Sequence, residues 1–301
     1  MSGDFLSTVL TTVRVTVPKS GPPLESRSGS GVYPVRTVDG RQAYLKVTPS
    51  THDTQGVEAA RRELRFYREL APVAPVPTPT LLDVVDDERG VALLLEAAGA
   101  TRAPGAWTAN LWAELGRALA RLHAMPVPAD AAWDRPDVLR AAMADPDVAA
   151  LRAFWSSSLP HLSELLARRD TLWAHLSAVP PVFIHGDCHT ENLPVRSGHP
   201  VFCDWQVTGI GRPSTDLAFL SVRAVPHGVA IPPILLDTYL DGWSGDPRSL
   251  RRAVLAEELA IFVFLWPPYA AFNDAPAVAR VRARARRLAE EWIASSASEA
   301  G

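Results

Sequence analysis

Residues 182–220 constrain this chain more than any other stretch. They read V-F-I-H-G-D-C-H-T-E-N-L-P-V, then a short polar break, then V-F-C-D-W-Q-V-T-G-I-G-R-P-S-T-D-L-A-F-L. The apolar runs at 181–184 and 200–203 predict two short strands, each delivering an aspartate at its C-terminal end, Asp187 and Asp204. Asn192 lies between them. This order suits magnesium-dependent phosphoryl transfer. One carboxylate handles an acceptor hydroxyl, while an amide and a second carboxylate hold Mg²⁺ against nucleotide phosphates. Mg²⁺ takes hard oxygen ligands and keeps several waters, so two side chains plus phosphates suffice. The plainer reading of the same residues is a strand–loop–strand whose aspartates cap turns.

The 301 residues allow one large domain or two lobes. A hydrophobic content of 47% with 21% charged residues describes a soluble globular chain with ample core. A net charge of −3 carries no nucleic-acid footprint. The start of the chain has no basic, signal-like character. The apolar run 259–266 is too short to span a bilayer. The expectation is a cytoplasmic protein without nucleic-acid or membrane partners. Cys188 and Cys203 have no metal-site company at ligand spacing, so they read as small, partly buried thiols.

Along the chain, β-branched residues at 9, 11, 13, 15 and 17 predict a strand over 5–17. A stretch rich in Pro, Ser and Gly follows, ending in Gly29-Ser30-Gly31. Residues 35–38, the turn Asp39-Gly40 and residues 42–47 predict a hairpin. A glycine-bearing turn lets backbone approach phosphate closely, although an ordinary flexible hairpin has the same composition. Lys46 stands inside an apolar strand, where an ammonium needs a partner or must snorkel to water. Residues 57–70 have helical periodicity, with Glu63 on the apolar edge and Glu58 and Glu69 as rivals. Four prolines over 71–79 make an extended connector. Residues 80–85 and 91–95 predict a second hairpin, and 97–105 a small-residue linker.

The remainder reads as mainly helical. Residues 107–125 are amphipathic, ending near His123, which reads as a packed, hydrogen-bonded histidine. Residues 138–143, 148–155, 159–176, 231–243, 251–265 and 276–295 are further helix candidates. Glu257-Glu258 would suit a polycationic ligand if they lined a cleft. The aromatic corner Trp266-Pro267-Pro268-Tyr269 would suit a flatter one. Both are more ordinarily scaffold. The arginines of the last helix read as a charged face.

The combination His185-Gly186-Asp187-x-x-x-x-Asn192, then Asp204-Trp205, then Asp216-Leu217-Ala218 resembles the aminoglycoside phosphotransferase and choline kinase-like family. The resemblance runs from about Gly29 to Leu220 and implies an α+β, protein-kinase-like two-lobe fold. Its small β-rich nucleotide-binding lobe would span 1–96, and a larger, mainly helical catalytic and acceptor lobe 97–301. It implies ATP, with GTP possible, and Mg²⁺ as cofactors, and a small-molecule hydroxyl as acceptor. Asp187 would be the catalytic base, and Asn192 and Asp204 the metal ligands. Lys46 would contact phosphates and pair with Glu63, and Gly29, Ser30 and Gly31 would line the phosphate loop. His185 and Asp216 would be structural. His189 and Arg212 flank the stretch and read as structural or solvated more readily than as phosphate contacts.

The chain departs from the pattern in three places. Pro34 stands where a third loop glycine would be, Gln206 follows Asp204-Trp205 where relatives often carry Glu, and the C-terminal region matches no acceptor class. The acceptor therefore stays open between an aminoglycoside or other antibiotic and a metabolite such as an amino alcohol or sugar. A protein kinase fits less well, because His-Gly-Asp replaces His-Arg-Asp and no Ala-Pro-Glu follows. A non-catalytic nucleotide-binding scaffold is the reading from a different class.

Overall fold

A computed structural model describes residues 2–17, 24–25, 31–51 and 54–297 of the chain. Its contacts divide the chain into two compact units, Met1–Thr101 with Asn192–Thr208, and Arg102–Glu191 with Gly209–Gly301. The first is built on an antiparallel sheet and the second is mainly helical, an α+β architecture.

In the first unit the strands are β1 (Leu24–Glu25), β2 (Gly31–Arg36), β3 (Gln42–Pro49), β4 (Leu81–Asp87) and β5 (Gly90–Glu96), in the order β1-β2-β3-β5-β4. The anticipated Asp39-Gly40 turn joins β2 to β3, with Gly40 at φ 81°. Strand pleating sends Leu45 and Lys46 to opposite faces. Leu45 packs with Phe5, Val9 and Val13. Lys46 meets helix α2 (Thr54–Glu69), whose inward side carries Val57, Ala60, Glu63, Leu64 and Tyr67.

The expected strand over 5–17 is instead a helix, α1 (Ser2–Thr12). A four-residue spacing is compatible with both a two-residue and a 3.6-residue period. Here Phe5, Val9 and Val13 form one buried stripe on the sheet. The Thr11 and Thr12 hydroxyls donate back to the carbonyls of Ser7 and Thr8, which makes threonine tolerable in a helix. The strand expectation survives only as a single bridge, Thr16 to Arg36.

The second unit contains α3 (Ala109–His123), α4 (Val138–Ala144), α5 (Val148–Trp155), α6 (Leu162–Ala167), α7 (Arg169–Ser177), α8 (Pro213–Ala224), α9 (Pro233–Leu240), α10 (Pro247–Ala260) and α11 (Ala275–Ala297). Thr108 caps α3 by accepting from the Leu111 N–H, and Asp246 caps α10 ahead of Pro247. The single helix expected over 159–176 is broken at Arg168 into α6 and α7. After α10 the chain widens into an i→i+5 turn, Ile261–Leu265, closed by the Trp266 N–H on the Ile261 carbonyl at 3.0 Å. A short ribbon pairs Val182–Ile184 antiparallel with Gly209–Gly211. No helix among the described residues is long and apolar enough to cross a membrane.

Helices α3 and α9 approach closely because Gly116 has no side chain. A Cβ there would lie 2.3 Å from both the Leu235 carbonyl and the Thr238 hydroxyl. Alanine gains ~1 kcal/mol of helix propensity over glycine. Overpacking of a well-packed contact costs about 1–3 kcal/mol, and here the obstacle includes backbone. Gly116→Ala is expected to be net destabilising, by up to about 2 kcal/mol, in urea unfolding. A variant at least as stable as the wild type would show that α9 shifts freely.

Candidate functional site

In the first unit, three of the residues singled out in the sequence come together. Lys46 on β3 is buried, with its Nζ 2.8 Å from Asp204 Oδ1 and 2.7 Å from Glu63 Oε2. The Asp204 contact is an aligned hydrogen bond, and the Glu63 contact is an ion pair. Of the three candidate acids on α2, it is Glu63 that faces the lysine, and it is fully buried. Burial pulls the Lys46 ammonium down, but Glu63 and Asp204 outweigh it and hold it above the ordinary range. Burial pushes the Glu63 carboxyl up, opposed by Lys46 and reinforced by Asp204. With all three ionised the cluster carries one surplus negative charge.

The segment bearing Asp204 is not the strand expected over 200–203. Only His199–Pro200 has strand geometry, paired with Val195–Arg196. Residues 201–205 are irregular, and their amides find non-ladder partners. Val201 N–H donates to the Pro194 carbonyl, Phe202 N–H to that of Pro77, and Cys203 N–H to that of Asn192. Asp204 itself takes a left-handed conformation, φ 64°, which is uncommon outside glycine and clusters at functional positions. Trp205 holds this bend. Its ring stacks on Phe66 of α2 at 3.7 Å, its indole N–H donates to the Phe202 carbonyl, and its backbone N–H donates to Glu63 Oε1. In the sequence Trp205 is only the residue after Asp204 in the motif. It is the clamp between Asp204 and α2.

Gly31 opens β2 and pairs with Val47, and its neighbour Val32 pairs with Lys46. The Tyr33 ring lies over Gly31, where a Cβ would come within 2.7 Å. Gly29 and Ser30 lie outside the described residues. Asn192 ends a short turn, Thr190–Asn192. The donor set fits Mg²⁺. Asp204 uses Oδ1 toward Lys46, is about a third exposed and carries a second carboxylate oxygen, and the cluster around it has uncompensated negative charge. A hard cation meets both conditions. Cys203 is pushed up to about 12 by burial and by the charges of Glu63 and Asp204, which leaves it an unreactive thiol.

In the second unit, Asp187 sits on a loop organised by Asp216 of α8. Asp216 Oδ2 accepts from the His185 N–H and Oδ1 from the Gly186 N–H, both at 2.8 Å. Oδ2 also lies 3.1 Å from His123 Nε2, whose Nδ1 is 2.8 Å from the Tyr239 hydroxyl. Burial raises the Asp216 carboxyl, yet these donors bring it below the usual range. Gly186 takes φ 85°, which turns the chain so that Asp187 follows. Burial also pushes Asp187 up, but His189, 3.5 Å away, with His185 and Arg223, brings it down to about 2. Asp187 is therefore ionised at neutral pH and stays so as pH falls until about that value. An acid limb above pH 4 in any activity belongs to another group.

Arg212, Glu257, Glu258 and Cys188 are engaged or buried within the second unit. Arg212 is held by Asp137 and by both oxygens of Glu257, with its guanidinium over the Trp173 ring at 4.9 Å. Glu257 also accepts from Ser214 and Thr215, and Glu258 from Arg284 and Ser221. Both acids are buried and already compensated. Cys188 is fully buried, with its thiol pushed up by burial, Asp216 and Asp187.

The ion-pair geometry orders two substitutions. Removing Lys46 leaves two carboxylates facing each other, whereas removing the Glu63 charge leaves Lys46 paired with Asp204. Breaking a buried pair typically costs about 3–5 kcal/mol. Lys46→Met is expected to reach that range, and Glu63→Gln to cost less than half as much, in chemical unfolding at pH 7. The opposite order would refute the shared-lysine description.

A family model described as phosphotransferase enzyme family matches residues 21–253. No curated protein sequence matches the chain. Among solved structures, a choline/ethanolamine kinase family protein from Mesorhizobium loti is 21% identical, with a TM-score of 0.63, covering 96% of this chain and 96% of that one. An aminoglycoside phosphotransferase from Streptomyces rimosus is 20% identical, with a TM-score of 0.54, covering 86% and 98%, and has also been solved with ADP and streptomycin. An amicoumacin kinase, solved with AMP-PNP and Ca²⁺, is 14% identical, with a TM-score of 0.60, covering 96% and 94%. These likenesses show the fold, that of protein-kinase-like phosphotransferases. The family match spans well over half of the sequence, and the chain belongs to the phosphotransferase enzyme family.

Proposed function

We propose that the protein transfers the γ-phosphoryl group of ATP, or of GTP, to a hydroxyl of a small molecule, assisted by Mg²⁺. The observation that carries this reading is the buried Lys46 shared between Glu63 and Asp204 at 2.7 and 2.8 Å. An ammonium fixed by a helix glutamate and placed beside a candidate metal carboxylate is the arrangement that phosphoryl transfer uses to orient nucleotide phosphates. Asn192 and Asp204 would hold the metal, which when bound supplies neutralising charge to the phosphate oxygens. Lys46 binds phosphate oxygens, and Glu63 keeps its ammonium in place. Asp187, already ionised, accepts a hydrogen bond from the acceptor hydroxyl and takes its proton as the oxygen attacks. Asp216 holds the loop that carries Asp187.

An antibiotic and a metabolite are both acceptors that the family admits. The compensated state of Glu257 and Glu258 favours the metabolite, because neither carboxylate is left to bind a polycation.

Asp187→Asn is expected to lower kcat by roughly 10²–10⁴-fold while leaving Mg-ATP affinity within a few-fold of wild type. Asp204→Asn is expected to weaken Mg-ATP binding itself. Titration calorimetry and coupled turnover assays separate the two. Equal loss of nucleotide affinity in both variants would overturn the assignment of roles, and a wild type that binds no Mg-nucleotide would overturn the reading.

A further inference from the structure

A cavity of about 190 Å³ in the second unit has Gly186, the residue before Asp187, in its wall. Arg135, Asp137, Ile210, Gly211, Arg212 and Phe219 contribute to the rest, and the i→i+5 turn closes it through Ile261 and Leu265. Interruptions of this kind in a helix recur at functional sites. The volume is below the ~300–1,000 Å³ of pockets that hold drug-sized ligands, so the cavity suits a molecule of a few heavy atoms.

The cations of this cavity are not equivalent. Arg212 is saturated by Asp137 and Glu257. Arg135 lies half-buried beside Gly211, its Nη1 3.4 Å from where a Cβ on that glycine would stand. Among the described residues no hydrogen bond or ion pair reaches the Arg135 side chain. Each nearby carboxylate is committed elsewhere. Asp216 serves His123 and the His185 and Gly186 amides, Asp137 serves Arg212 and the Arg140 amide, and Glu257 serves Arg212, Ser214 and Thr215. Burial, with Arg212 adding repulsion, pulls the Arg135 guanidinium below its usual range despite attraction from Asp216, Asp137 and Glu257. A half-buried guanidinium whose five donors meet no protein partner, facing a cavity, is open to completion by a ligand. An oxyanion does so, because its oxygens match the guanidinium fork.

We infer that Arg135 is the acceptor-binding residue and that the acceptor is a small hydroxylated organic anion, its charged end on Arg135 and its hydroxyl toward Asp187. This rests on the phosphotransferase reading above. In the transfer, the acceptor oxygen forms a bond to the γ-phosphorus and the bond to the β–γ bridging oxygen breaks. The nucleoside diphosphate leaves with that electron pair, and the hydroxyl proton passes to Asp187. The inference narrows the acceptor class, since amino alcohols and aminoglycosides would bring a second cation to Arg135.

The test is binding to the full chain without nucleotide at constant ionic strength, by titration calorimetry and thermal melting. The probes are two hydroxy carboxylates (glycerate and gluconate), a phosphate ester (glycerol 3-phosphate), neutral glycerol and glucose, and cationic ethanolamine and kanamycin. At least one anion is expected to bind, the neutral and cationic probes are not, and Arg135→Gln is expected to weaken the anion at least tenfold. The carboxylate and ester arms decide which oxyanion the cavity takes. Arg135→Gln without ligand should melt at or close to the wild-type temperature, because the charge removed is half-buried and has no protein partner to lose. The inference is overturned by no preference for anions across the panel, by anion binding that survives in Arg135→Gln, or by a free variant that melts well below wild type. Loss of Mg-ATP affinity in Arg135→Gln would instead assign the residue to the nucleotide and also overturns it. None of these outcomes bears on whether the wild type binds Mg-nucleotide, so the two readings fail independently.

Discussion

One buried ammonium organises the first unit. Lys46 cannot stay desolvated inside β3 without compensation, and two carboxylates supply it, Glu63 from α2 and Asp204 from an irregular segment more than a hundred residues away in the chain. Much of the local structure follows from that requirement. Helix α2 must turn Glu63 inward, at the expense of burying a carboxylate. The segment 201–205 must give up ladder hydrogen bonds so that Asp204 can enter at positive φ. Trp205, stacked on Phe66, binds the bend to the helix that carries the other acid. Counted as ionised, the three groups leave one surplus negative charge beside the partly exposed Asp204.

Asp216 has the corresponding position in the second unit, with the charge sign reversed. A fully buried carboxylate collects two backbone amides of the Asp187 loop and the His123–Tyr239 pair. Its partners are His123 of α3, itself bonded to Tyr239 of α9, and the two amides of the loop, so the backbone at Gly186 is tied to α3 and α8. Candidate chemistry at Asp187 is thereby placed on a rigid support rather than on a freely moving loop, which positioning-dominated phosphoryl transfer demands.

The acidic residues that might have advertised a cationic ligand are spent internally. Glu257 neutralises Arg212, and Glu258 neutralises Arg284. Of the two arginines in the cavity walled by Gly186, Arg212 is neutralised and Arg135 has no protein partner among the described residues. A compensated buried acid has little left to offer a ligand, whereas a base without a protein partner keeps its donors available.

By itself the sequence determined the family, the residue types and order of the candidate chemistry, the Asp39-Gly40 hairpin and most of the helices. These are local properties. His185-Gly186-Asp187 and Asp204-Trp205 are contiguous motifs, and hairpins and amphipathic helices declare themselves through turn residues and period. Tertiary structure decided the rest. The first helix reads as a strand because β-branched residues alternate at 9, 11, 13, 15 and 17, and only the sheet that Phe5, Val9 and Val13 cover selects the helical period. Glu58, Glu63 and Glu69 are equivalent in composition until packing turns one of them toward Lys46. The burial of His189 beside Asp187, the clamp made by Trp205, the compensation of Glu257 and the isolation of Arg135 all depend on residues far apart in the chain. Which charges meet is set by where the backbone brings them, and no single stretch of sequence contains that information.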